Sequence, residues 1–102
     1  LALIEEGVPV IVLATQSSIY DKTISNLQEV KTRGAIVIGI GMEGDTELAK
    51  HANSVIIIPK ADEDLAPILA VIPLQLLAYY AALVRSCDVD KPRNLAKSVT
   101  VE

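Results

Sequence analysis

The chain holds no Phe, no Trp, one Met, one His and one Cys among its 102 residues. With three Tyr as its only aromatics, its core has to be assembled from Val, Ile, Leu and Ala. The lone Cys87 excludes an internal disulfide and any multi-cysteine zinc site, and it leans towards an intracellular setting. Positive charge is also short: nine Lys and Arg stand against thirteen Asp and Glu, a net charge of −4. A nucleic-acid binder gathers excess Lys and Arg on one face, so that class is set aside. Disorder is set aside too, because 51% of the residues are hydrophobic. The length suits one domain and is too short for two.

What is present alternates in type. Pro9 to Ala14, Ala35 to Ile40 and Ser54 to Pro59 are runs dominated by β-branched residues, the pattern of strands covered on both faces. Between the first two, Ile19 to Arg33 carries Ile24, Leu27 and Val30 at helical spacing and stops at Gly34. A short helix is expected over Thr46 to Ala52, and a long apolar one from Asp62 to about Arg85, with Pro73 kinking or breaking it. Strands alternating with helices predict a parallel sheet in a three-layer α/β/α sandwich, the flavodoxin-like arrangement. The chain opens Leu1 to Glu6 then Gly7, which reads as the last turns of a helix with a Gly stop. This opening has no basic region, and its apolar stretch is too short for a signal peptide. A helix that ends without beginning implies a fragment, with a first strand and its helix upstream.

Leu65 to Val84 is twenty residues without a charge, about the length of a bilayer span. Pro67, Pro73 and the central Gln75 count against a membrane role. The expected arrangement is a helix buried all round by a partner domain or subunit, with Tyr79 and Tyr80 at the contact.

Gly39 to Gly44 matches G-x-G-x-x-G after a strand, and Asp62 falls near the offset of a ribose-binding carboxylate. The helix that follows is too short to lie along a pyrophosphate, so a turn that uses glycine for unusual backbone angles is the preferred reading. A free-standing nucleotide-binding protein is the weakest alternative. Thr15, Ser17 and Ser18 form a hydroxyl-rich loop before a helix, a possible anion site, although plain capping by Ser17 or Ser18 explains the same residues. His51 suits a helix C-terminus and has no second His or Cys beside it, so no metal site is expected. Cys87 lacks a partner base, and Asp62, Glu63 and Asp64 read as a charged first helical turn.

The tail from Asp88 to Glu102 follows no amphipathic pattern. Its run Arg93-Asn94-Leu95-Ala96-Lys97-Ser98-Val99-Thr100-Val101-Glu102 closely resembles the C-terminal signature of the glutamine–fructose-6-phosphate aminotransferase family. Pro73 to Tyr79 is similar to that family's preceding helix, and Leu1 to Glu5 to a helix end that follows a catalytic His. The resemblance implies a partial sugar-isomerase (SIS) domain over residues 1–87 and a tail over 88–102. It implies a cytoplasmic enzyme with no cofactor that makes glucosamine 6-phosphate from fructose 6-phosphate and glutamine-derived ammonia. The partners it implies are a glutaminase, a first SIS domain and a second copy in a homodimer, with no nucleic acid and no membrane. Lys97 matches the family's lysine that forms a Schiff base with the open-chain ketose. Ala96 is carried over as a backbone contact to sugar and the ammonia path, and Arg93 is a substrate-binding candidate that either positions the tail or raises the local positive potential. The Thr15–Ser18 loop lacks the glycine of the family's phosphate loops. The fragment alone is expected to be inactive, and a non-catalytic sugar-phosphate-binding SIS regulatory module is the alternative.

Overall fold

Each β-branched run becomes a strand of one sheet in the computed structural model, which describes residues 1–91 and 93. The elements are β1 (Pro9–Ala14), α1 (Tyr20–Thr32), β2 (Ile36–Met42), α2 (Leu48–His51), β3 (Ser54–Ile58) and α3 (Ala66–Val84). A single 3-10 turn, Ser17–Ile19, leads into α1. The strands lie in the order β1-β2-β3 and both pairings are parallel, as helical crossovers require. The fold is α/β, with an open three-stranded sheet. Two compact units divide the chain, Leu1–Val71 and Ile72–Glu102, and the boundary falls inside α3.

In the first unit both sheet faces bury side chains, Val37 on one and Ile40 and Ile58 on the other. Ile24, Leu27 and Val30 of α1 recur every third residue and pack with Ala14, Val37 and Leu48. Leu27, Val37 and Leu48 are all but sealed from solvent, and burying each stabilises the fold by roughly 1.5–3 kcal/mol. Strand alternation sends Ile11, Leu13 and Ile36 to the opposite face, where they remain 40 to 47% exposed. Asn53 holds the start of β3 in register. Its side-chain carbonyl accepts the Val37 amide at 2.8 Å, and its own amide donates to the Val37 carbonyl at 2.9 Å.

Several boundaries differ from expectation. Leu1 to Glu6 forms turns in place of the expected helix end. β2 runs on to Met42, so Gly41 joins Gly39, already expected there, inside the strand. Helix α3 begins at Ala66, four residues later than expected, and is unbroken through Pro73. Pro67 sits in its first turn, where an amide has no partner to lose. Pro73 removes one bond, to the Leu69 carbonyl. The Leu and Ala residues that follow are strong helix formers and keep the remaining turns intact.

By length and composition alone α3 is sufficient to cross a membrane. In the second unit Tyr79 and Tyr80 meet edge to face at 5.4 Å between ring centroids, and both are exposed. The helix ends in a Schellman motif: Cys87 N–H donates to the Ala82 carbonyl at 2.8 Å and Ser86 N–H to Leu83 at 3.0 Å. Ser86 takes φ +57°, a left-handed conformation that favours glycine. Ser86→Gly is therefore expected to stabilise the protein by about 0.5–1 kcal/mol, read as a raised denaturation midpoint at unchanged slope.

Candidate functional site

In an open parallel sheet the carboxyl ends of the strands point at the place where ligands bind. Here that end forms a cleft of about 430 Å³ whose walls include Thr15, Ser17, Tyr20, Asp45, Lys60 and Glu63. Two side-chain groups organise it.

Asp45 is the first. It lies three residues before α2, and its Oδ1 accepts the Glu47 and Leu48 amides at 3.0 Å each. That capping explains how a helix of only four residues persists. Tyr20, at the start of α1, donates its hydroxyl to the same carboxylate, 2.7 Å from both oxygens. Burial first, and then this hydrogen bond, push the Tyr20 phenol well above its ordinary range.

The folded state therefore holds a proton that the unfolded chain gives up near pH 10. The resulting stability is full below the ordinary tyrosine pKa and is lost as pH rises through the raised one. Tyr20→Phe should cost about 1 kcal/mol near neutral pH, and urea unfolding should show that penalty shrinking once pH passes about 10.

Glu63 is the second. It comes from the connection between β3 and α3 and reaches the loop after β1. Ser17 Oγ donates to Glu63 Oε1 at 2.7 Å, Ser18 N–H to the same oxygen at 3.0 Å, and Ser18 Oγ to Oε2 at 3.5 Å. The Ser17 hydroxyl, followed by the Ser18 amide, holds this carboxyl below the usual carboxylate range. The expected capping of α1 by Ser17 or Ser18 is not what forms: neither the 3-10 turn nor α1 has a side-chain cap, and the serines are turned to Glu63. Glu63 itself does not belong to a first helical turn, as expected from its sequence, because α3 starts at Ala66.

Two glycines of β2 lie beneath α2. A Cβ on Gly39 would come within 2.9 Å of Leu48 Cγ and both its Cδ atoms, and one on Gly41 within 2.9 Å of Leu48 Cδ2. These glycines are the floor on which α2 packs; the strand position was expected for Gly39, whereas Gly41 was expected in a turn. Only Gly44, at φ +93°, meets that expectation.

Outside the cleft, His51 ends α2 as expected and links it to α1. Its ring lies 3.0 Å from Glu47 and 3.2 Å from Gln28, while Lys31 Nζ donates to the His51 carbonyl at 2.5 Å. Glu47 is held below the usual carboxylate range by Lys50, then by His51. Among the described residues, no group of three or more His, Cys, Asp or Glu is placed to hold a metal ion.

With the cleft in view, comparison with known proteins is decisive. Residues 1–85 match the SIS domain family. The chain belongs to that family. The match takes in α3, which makes that helix part of an α/β SIS domain. Curated relatives include proteins named glutamine–fructose-6-phosphate aminotransferase [isomerizing]. Those from Symbiobacterium thermophilum and Clostridium tetani are each 60% identical over all 102 residues. That from Thermus thermophilus is 57% identical over the same span. The chain covers 17% of the length of each.

Of the residues singled out from sequence, Thr15 and Ser17 line this SIS cleft, and Ser18 shares the Glu63 contact. Arg93 is exposed. Lys97 and Ala96 lie outside the described residues. Sequence reasoning missed Tyr20, Asp45 and the reach of Glu63. An Asp three positions before Leu48 is a visible capping signal, whereas nothing local announces a contact made across 46 residues.

Proposed function

We propose that this chain is part of the isomerase region of a glucosamine-6-phosphate synthase, which turns fructose 6-phosphate and glutamine into glucosamine 6-phosphate and glutamate. The observation that carries the reading is identity of 54 to 60% to eight proteins named glutamine–fructose-6-phosphate aminotransferase [isomerizing], running through the tail as well as the SIS domain. In this reading Lys97 is the catalytic amine. A lysine at its ordinary pKa of about 10.4 is almost wholly charged at neutral pH, so its environment must free the lone pair. The neutral Nζ then attacks the ketose carbonyl, water leaves, and an imine forms. Ala96 supplies a backbone contact to the sugar, and Arg93 positions the tail.

A glutaminase domain would deliver ammonia, a first SIS domain would hold the sugar phosphate, and two copies would form a cytoplasmic homodimer. The 102 residues alone lack those parts and are inactive in this reading. The test is borohydride trapping in the full-length polypeptide with fructose 6-phosphate. Reduction of the imine should add the sugar's mass at Lys97. Labelling at Lys91 instead, or no labelling together with absent glucosamine 6-phosphate synthesis, would refute the assignment.

A further inference from the structure

The strand-end cleft raises a question apart from the tail, because a loop of hydroxyls and amides before a helix is where an external anion would sit. That place is already taken. Three donors from Ser17 and Ser18 converge on one carboxylate brought from the far side of β3. The cleft walls add Glu43, Asp45 and Glu47, with Lys60 as the one opposing cation among the lining residues. A phosphate entering here would have to displace Glu63 and would share the cleft with these further carboxylates, of which Glu47 is already paired with Lys50.

We propose that Glu63 is a built-in anion that occupies the Ser17–Ser18 loop and makes this SIS cleft reject phosphorylated ligands. The carboxylate does what a bound phosphate would do. It satisfies the loop donors and ties the β3–α3 connection to the start of α1. Being covalently attached, it competes at a high effective concentration that a free anion must exceed. Specificity of this kind comes from placing charge against the unwanted ligand.

The experiment is hydrogen–deuterium exchange with peptide resolution, on the full-length polypeptide, with inorganic phosphate as the probe. In the wild type, phosphate should leave exchange over residues 15–20 unchanged. Glu63→Ala should exchange severalfold faster over 15–20 and 60–66, with the β2 peptide unaffected as the folding control, and phosphate should restore protection at 15–20. Glu63→Gln repeats the measurement with a neutral side chain of the same shape, should the alanine variant fail to fold. Phosphate protection of the loop in the wild type would overturn the proposal, as would absence of protection in both variants. The readout needs no turnover, so its failure is separate from failure of the aminotransferase assignment.

Discussion

Lys97→Arg in the full-length polypeptide is expected to lower glucosamine 6-phosphate synthesis by at least about a thousandfold, the scale seen when a covalent catalyst is removed. Arginine keeps the positive charge, so steering of the sugar phosphate and any ion pair with the tail persist. It does not release its proton at accessible pH and forms no imine with a ketose. The loss should therefore appear in kcat, with a smaller change in the KM for fructose 6-phosphate. Hydrolysis of glutamine to glutamate, which belongs to another domain in the proposed enzyme, should continue. Isotope-labelled glutamine and fructose 6-phosphate read both halves in one assay. Wild-type synthesis by the Arg variant would remove Lys97 from the chemistry, and parallel loss of glutamine hydrolysis would indicate a structural role instead.

How much of this was legible depends on the range of the forces involved. The three strands and α1 were readable because β-branched runs and the Ile24, Leu27, Val30 spacing are local patterns with local causes. The end of α1 was equally readable, since Gly34 at φ +92° is the residue a helix stop demands. The unbroken course of α3 was not. A proline rule weighs one lost bond, whereas the helix sums nineteen residues of mostly favourable propensity. The cleft was half legible. Thr15 and Ser17 announce themselves by lying between a strand and a helix, but the group that meets Ser17 comes from 46 positions away. A contact of that span is fixed by the parallel register of β1, β2 and β3, which brings the loops after β1 and β3 to the same end of the sheet.

The glycine pair shows the same point from the side of packing, and it yields the largest effects expected on stability. Leu48 is wholly buried, and its branched end rests on β2 where Gly39 and Gly41 have no side chains. Leu48→Ala should destabilise the protein by about 2–5 kcal/mol, because a cavity replaces a filled contact. Gly39→Ala should cost about 1–3 kcal/mol for the opposite reason, since its methyl would meet Leu48 at 2.9 Å. The two changes relieve one another: with Leu48 shortened, the added methyl occupies space that the leucine has vacated. The double variant should therefore be less destabilised than the sum of the singles, with a coupling of about 0.5–3 kcal/mol by urea unfolding. If the glycines served instead to admit a nucleotide, Gly39→Ala would leave stability unchanged and the two substitutions would simply add. Additive costs, or a Gly39→Ala protein as stable as the wild type, would refute the packing explanation of the G-x-G-x-x-G run.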